Sequence, residues 1–333
     1  MTTALVTGAA GFVGANLTRR LVANGHEVHV LVRAESRTWR IDDLARDVTR
    51  HEVDLEDAAG VLRAVEAARA EWIFHLAARG AYAWQADAGE ILRTNVVGTA
   101  NMIDAAARAG FGAFVNAGTS SEYGAKDHAP REDEALAPSS AYAVAKASAT
   151  MLCTLFGRES GDRVLTLRLY SVFGPWEEPG RLLPNLIVHG LAGRLPALAD
   201  PGAAHDFVHV DDVVDAFLRA AAGGPVEPGS VFNVGSGVQT TIGEAVSVAR
   251  RVLGVEAEPR WGTMEPRPWD TAVWVADRGR IGHALGWAPM HTFEEGFRRQ
   301  AEWFRARPQL LPLYERLANE RAAVAASAAG DSP

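Results

Sequence analysis

Three observations predict an α/β protein: a doubly wound parallel sheet followed by a smaller C-terminal α/β domain. Short apolar segments alternate with amphipathic ones from the N-terminus. Glycines mark the turn that joins the first such pair, at Thr7-Gly8-Ala9-Ala10-Gly11-Phe12-Val13-Gly14. After Gly174-Pro175 the rhythm shortens and Pro/Gly punctuation becomes dense. Strands that alternate with helices in this way form a parallel sheet covered on both faces.

Taken in order, Ala4–Val6 is a short β run, and Asn16–Ala23 carries apolar residues at helical spacing, closed by Asn24-Gly25. Val28–Val32, Val48–Val53 and Trp72–Leu76 read as strands, and Ile91–Ala109 as one long helix. Ala113–Ala117 is a strand, Ser139–Phe156 a helix and Val164–Leu169 a further strand. Beyond residue 174, Asp211-Asp212 opens a helix and Val231–Val234 is a strand returning to the main sheet. This divides the chain into a first domain over 1–174, a mainly ligand-binding domain over 175–317, and a tail over 318–333. The tail is mostly alanine from Ala318 onward, and its last residues are expected to fray and to be functionally silent.

Bulk composition excludes several classes. A formal charge of −8 argues against a nucleic-acid surface, which needs a basic face. The only cysteine, Cys153, permits neither an intrachain disulfide nor a cysteine metal site, which fits a reducing cytoplasm. The histidines show no metal-ligand spacing, so no metal is expected. No apolar run approaches the ~20 residues of a membrane span, and the N-terminus lacks the pattern of a signal peptide.

The glycine turn carries the first functional signal. Gly8, Gly11 and Gly14, with Phe12 and Val13 between them, lie where a strand becomes a helix. Bare backbone there can approach a pyrophosphate at the positive end of the helix. The second strand ends Val30-Leu31-Val32-Arg33, with no carboxylate to meet a ribose 2′-hydroxyl. Arg33, with Arg37 nearby, can instead pair with a 2′-phosphate; a solvated loop arginine is the plain alternative. NADP(H) is therefore the expected cofactor and NAD(H) the alternative. Asp54, before Leu55, either meets the adenine amino group or caps the next helix.

The second signal is Tyr142-Ala143-Val144-Ala145-Lys146, preceded by Gly118-Thr119-Ser120-Ser121-Glu122-Tyr123-Gly124. Moving a hydroxyl proton requires a base, and a tyrosine near pKa ~10 is a poor one unless a cation lowers that value. Lys146 is one helical turn beyond Tyr142 on the same face and is expected to supply that field. Thr119, at a strand end, can bind the reacting oxygen beside Tyr142.

With His75-Leu76-Ala77-Ala78, Asn95-Val96-Val97-Gly98-Thr99, Asp206-Phe207-Val208-His209-Val210-Asp211-Asp212 and Leu285-Gly286-Trp287, the chain resembles the extended short-chain dehydrogenase/reductases of the epimerase/dehydratase family. The resemblance implies a Rossmann-type domain, a C-terminal domain for a nucleoside-diphosphate sugar, and often a homodimer built from two helices per subunit. It implies Thr119, Tyr142 and Lys146 as the catalytic triad, and Leu76, Ala77, Ala78 and Asn95 along the cofactor. On the substrate side it implies Tyr82, Ser120, Ser121, Ser171, Arg181, His205 and Arg267, the last gripping the diphosphate. Ser171 stands where the family often has Asn, His205 where another basic residue is usual, and Trp269 where it has glycine.

Tyr82 and Trp84 either stack on the ligand or cover the core, and His75 is expected to pack or cap. Family 4,6-dehydratases carry an acidic residue just after the catalytic hydroxyl, where this chain has Ser120 and Ser121. Strand alternation would turn Glu122 away from the site. The expected activity is therefore NADPH-dependent reduction of a nucleotide-linked 4-keto-6-deoxyhexose. A UDP-hexose 4-epimerase type of enzyme is the alternative, and a non-catalytic dinucleotide sensor the second.

Overall fold

A computed structural model describes residues 1–82, 84–262 and 272–330. Seven strands build the main sheet, and their interleaving helices cover it. In chain order come β1 (Thr3–Thr7), α1 (Phe12–Ala23), β2 (Glu27–Val32), β3 (Val48–Glu52), α2 (Ala58–Ala68) and β4 (Trp72–His75). Next are α3 (Ala88–Leu92), α4 (Gly98–Ala109), β5 (Ala113–Thr119), α5 (Ala141–Ser160), β6 (Val164–Leu169) and β7 (Ser171–Phe173). They are followed by α6 (Leu182–Leu191), β8 (Ala204–His205), β9 (Phe207–His209), α7 (Val210–Ala222), β10 (Val231–Val234) and β11 (Thr240–Thr241). Four helices close the chain: α8 (Ile242–Leu253), α9 (Gly279–Leu285), α10 (Phe293–Arg305) and α11 (Leu311–Gly330).

The main sheet has the order β10-β6-β5-β4-β1-β2-β3, and every pairing in it is parallel. This is the doubly wound, Rossmann-type sheet expected from the alternation of elements. Side chains of successive strand residues enter opposite faces. Val6, Phe74, Val115 and Leu165 thus join α1 and α7 in one core, while Leu5, Ile73, Phe114 and Val164 join α2 and α4 in another. A third core gathers Phe173, Leu186, Phe207, Val246, Phe297, Phe304 and Tyr314 from β7 and the elements after it. Because α7, β10 and Trp287 pack into the sheet's own core, the chain crosses back into the first layer after residue 174.

Three local readings change. The helix predicted over Ile91–Ala109 is interrupted by a π-turn at Arg93–Val97, between α3 and α4. Such turns re-aim side chains, and this one aims Asn95 inward. Asp54 does not cap α2: its Oδ1 accepts the Glu56 N–H, and Asp57 is the N-cap, accepting the Gly60 N–H at 3.0 Å. The tail predicted from Ala318 onward continues α11 as far as Gly330.

Candidate active site

The glycine turn forms a cradle that side chains would fill. Gly8 adopts φ +70°, and a Cβ there would lie 2.6 Å from the Ala77 nitrogen. A Cβ on Gly14 would collide with the Gly8 carbonyl. The Gly11 N–H donates to the Gly8 carbonyl at 2.9 Å, which closes the turn directly before α1. Backbone therefore remains open to a pyrophosphate at the α1 N-terminus, and the residues present fit a dinucleotide.

A hydrogen-bonded line stiffens the floor of this cradle. Thr7 and His75 are paired across β1 and β4, and Thr7 Oγ1 lies 2.9 Å from His75 Nδ1. His75 Nε2 lies 3.0 Å from Thr99 Oγ1, whose proton goes to the Asn95 carbonyl at 2.6 Å. Thr99 must then accept from Nε2–H, so Nδ1 accepts from Thr7 and the ring is neutral. Burial, reinforced by the Lys146 ammonium, pushes the His75 pKa down to about 3, in agreement with that tautomer. Asn95 spends both ends of its amide on Arg79, accepting its N–H at 2.9 Å and donating to its carbonyl at 2.7 Å. Its role is to shape the Leu76-Ala77-Ala78 loop.

Catalytic candidates meet where β5 ends. Ser140 caps α5, accepting the Ala143 N–H at 3.1 Å, and this places Tyr142 in the first turn with Lys146 one turn on. The Tyr142 hydroxyl is hydrogen-bonded to Thr119. The field expected from Lys146 is not what governs Tyr142. Burial pushes the phenol up to about 12, and the main opposing effects are the Thr119 bond and the Arg181 guanidinium. Burial also lowers the Lys146 pKa, and the nearby Glu122 carboxylate opposes that fall. The same carboxylate raises Tyr142, so it offsets the ammonium's field at the phenol.

Glu122 has the orientation expected of it but for a different reason. It is turned from the reacting groups, as expected, but not by strand alternation: β5 ends at Thr119 and Ser120–Tyr123 is a 3-10 turn. Glu122 accepts the Thr119 N–H at 2.9 Å and the Thr150 hydroxyl at 3.0 Å, and pairs with Arg168 at 2.8 Å. Arg168 also donates to the Tyr123 hydroxyl at 2.8 Å, and that hydroxyl donates to Asn233 at 2.7 Å. The T-S-S-E spacing from 119 to 122 is a capping-box pattern and was the available signal.

Of the substrate-side candidates, Ser120 is buried and shares a small cavity with Tyr170 and Trp274. Ser171 Oγ meets His205 Nδ1 at 3.2 Å where β7 pairs with β9. Arg181 pairs with Glu177 at 3.4 Å and acts electrostatically on both Tyr142 and Tyr82. Tyr82 and Trp84 stack on one another, 4.6 Å between rings. Arg267 and Trp269 lie outside the described residues. On the cofactor side, Arg33 pairs with Glu35 at 3.4 Å and Arg37 with Glu320 at 3.0 Å, both as exposed ion pairs. Leu55 is buried and its carbonyl accepts from Asn101. A separate cavity of about 570 Å³, lined by Trp39, Trp176 and Trp303 among others, includes none of Thr119, Tyr142 or Lys146.

Contrary to the spacing argument, the fold brings His209, Asp211 and His291 within 4.8 Å of one another. Each histidine is already engaged in structure: His209 Nδ1 accepts the Asp211 N–H at the start of α7, and His291 Nδ1 meets Asp212 at 2.9 Å.

A glycine cradle at the first β–α turn, a half-buried tyrosine one helical turn from a buried lysine, and a threonine at the end of β5 define a dinucleotide-dependent enzyme of the extended short-chain dehydrogenase/reductase type. The chain belongs to the NAD dependent epimerase/dehydratase family, which it matches over residues 4–235. It is 33% identical over 317 residues to a UDP-glucose 4-epimerase of Mycolicibacterium smegmatis, covering 92% of this chain and 99% of that one. It is 33% identical over 314 residues to a dTDP-glucose 4,6-dehydratase of Streptomyces griseus, covering 90% and 93%. The structure of a Thermus thermophilus UDP-glucose 4-epimerase in complex with NAD superposes with a TM-score of 0.81 at 29% identity, covering 91% of this chain and 99% of that one. No helix among the described residues is long and apolar enough to cross a membrane.

Two measurements test this account. Glu122→Gln leaves Arg168 as an uncompensated buried charge and should cost about 3–5 kcal/mol in urea unfolding; a loss under about 1 kcal/mol would contradict the assigned role. His75 has a folded pKa of about 3 against an ordinary 6.5, so only the unfolded chain gains a proton as pH falls below 6.5. The stability this confers is whole above that pH and drains toward acid. Between about pH 6 and 4, His75→Gln should therefore lose stability less steeply than the wild type, by up to about 1.4 kcal/mol per pH unit. Parallel curves would refute the neutral, buried imidazole.

Proposed function

We propose that this protein is a nucleotide-sugar 4-epimerase of the UDP-hexose type, using NAD. The observation that carries the reading is the Thr119–Tyr142 pair together with Glu122, a carboxylate that acts on Tyr142 but is committed to Arg168, Thr150 and the Thr119 backbone. Dehydration needs an acid and a base beside the sugar in addition to the tyrosine, and Ser120 and Ser121 supply neither. The relatives cited are 4-epimerases and 4,6-dehydratases. They favour the epimerase over the 4-keto reductase that the sequence suggested. The carboxylates on Arg33 and Arg37 support NAD over NADP, since a 2′-phosphate would have to displace or neighbour them.

In this reading the Gly8–Gly14 turn would hold NAD, which would supply a reversible hydride acceptor for the sugar's C4. Tyr142 receives the C4 hydroxyl proton as hydride leaves and gives it back at the end. Thr119 donates to or accepts from the same oxygen, and holds it while charge develops there. Lys146, buried and shielded by Glu122, is placed to bond the nicotinamide ribose. Arg181 and Tyr82, which both act on Tyr142, are assigned to the sugar, and Ser171 and His205 to the diphosphate.

The protein is also proposed to be a homodimer. Val144, Met151 and Leu155 are exposed on one face of α5, at helical spacing, beside exposed Leu92 and Val97 next to the π-turn. An apolar stripe on two adjacent helices suits a second copy of the same stripe.

Purified protein should interconvert UDP-glucose and UDP-galactose with no net change in nicotinamide absorbance. Tyr142→Phe should lower kcat at least ~100-fold while dinucleotide affinity is kept. Stoichiometric NADPH loss with dTDP-4-keto-6-deoxyglucose would instead establish the reductase. Sedimentation should show a dimer that Met151→Asp with Leu155→Asp converts to a folded monomer; an unchanged mass would reject this interface.

A further inference from the structure

The alanine-rich C-terminal helix is more than a tail. α11 is seated at its start by Tyr314, which is buried edge-on against Phe304 at 4.8 Å and against Trp39 at 5.7 Å, and then by Leu317. Directly after these anchors, two adjacent residues reach three separate loops. Glu320 accepts from Arg37, in the loop after β2, at 3.0 Å. Arg321 donates from Nε to Glu178, in the segment after β7, at 3.1 Å. The Arg321 guanidinium also lies 4.6 Å over the Trp84 ring, in the loop after β4.

Both targets of Arg321 lead inward. The second oxygen of buried Glu178 accepts from Arg40 at 2.9 Å, and Arg40 donates to the Trp176 carbonyl at 2.7 Å and to the Ala10 carbonyl, in the glycine turn, at 3.4 Å. Trp84 stacks on Tyr82 with ring planes 3° apart. The Tyr82 phenol is near enough to Tyr142 to raise its pKa, and Glu178 and Arg181 act on Tyr82 in turn. One guanidinium thus joins the cofactor cradle, through Glu178 and Arg40, to the aromatic pair beside the catalytic tyrosine. Burial of Glu178 makes its pairing with two arginines a stronger tie than an exposed ion pair, and the Trp84 contact adds cation–π attraction.

We propose that Arg321, set by the docking of α11, is a positioning residue for substrate: it clamps Trp84 and Glu178 together so that Tyr82 is held toward the sugar of a bound nucleoside-diphosphate hexose. The substrate class rests on the function proposed above; the clamp itself does not. Arg321 bonds Glu178 and covers Trp84, so its loss acts on binding through Tyr82 rather than on the proton transfer at Tyr142. A helix that is docked merely for stability would leave substrate affinity alone.

The test compares wild type, Arg321→Gln and Arg321→Lys in full-length protein, by epimerisation kinetics and by hydrogen exchange read peptide by peptide. Arg321→Gln should raise KM for the UDP-hexose about tenfold with kcat within about twofold, and should speed exchange around Tyr82 and Trp84 selectively. Arg321→Lys, which keeps the charge and one donor, should recover part of both. Wild-type KM and wild-type exchange around Tyr82 and Trp84 in Arg321→Gln would overturn the proposal. So would a general rise in exchange with unchanged KM, which would make α11 only a stabilising element. If the wild type turns over no nucleotide sugar, the proposed function fails, and the exchange comparison alone still decides whether the clamp exists.

Discussion

The Glu122 carboxylate has no exposed surface, and three neighbours on three different elements hold it. The Thr119 N–H comes from the end of β5, the Thr150 hydroxyl from α5, and the Arg168 guanidinium from β6. Thr119 and Tyr142 must meet at one oxygen, yet they belong to a strand and to a helix that packs across it. Glu122 is the shared partner that registers the two. A buried ion pair adds little net stability over an apolar pair of similar shape, because desolvation consumes the attraction. Its contribution here is positional: moving any of the three elements would strand a charge in the core.

The cofactor side relies on a different device with the same logic. Glycines remove side chains from the β1–α1 turn, but bare backbone alone is floppy. The line from Thr7 through His75 and Thr99 to Asn95 ties the end of β1 to β4 and to the π-turn. Asn95 then holds the loop that follows β4 by both backbone groups of Arg79. Every polar atom in that line has a partner, which is what permits a neutral histidine to lie wholly buried. The open backbone at Gly8 is therefore flanked by rigid walls.

How much of this could be read from the chain depends on the range of the interaction. The Gly8–Gly14 turn and the Tyr142–Lys146 spacing are local, so their geometry follows from a strand, a tight turn and one helical repeat. The parallel sheet was legible for the same reason, since apolar strands recur between helices. The cause of Glu122's orientation was misread because alternation was extended past Thr119, where the capping box had already turned the chain. Asp54 lost the cap to Asp57 by three residues, a distance that propensity alone does not resolve. The reach of α11 was not legible at all: Arg321 and Glu178 are 143 residues apart, and nothing in an alanine-rich run announces which loops it crosses. Similarly, the pairing of Arg37 with Glu320 joins residues 283 apart.

The tyrosine shows why a correct motif can still carry an incorrect explanation. Lysine four residues beyond a tyrosine should lower its pKa, provided both sit in a medium where the ammonium's field is unopposed. Here Lys146 is buried, Glu122 acts on both groups, and desolvation takes Tyr142 up to about 12. A protonated phenol bonded to Thr119 is already arranged to give a proton to an oxygen that gains negative charge. Taking a proton is the harder direction, and positive charge near the phenol eases it. Among the described residues Arg181 is a cation that acts there, and it pairs with Glu177. The acidity of the catalytic group is thus set less by its sequence neighbour than by how the segment after β7 is held against the end of β5.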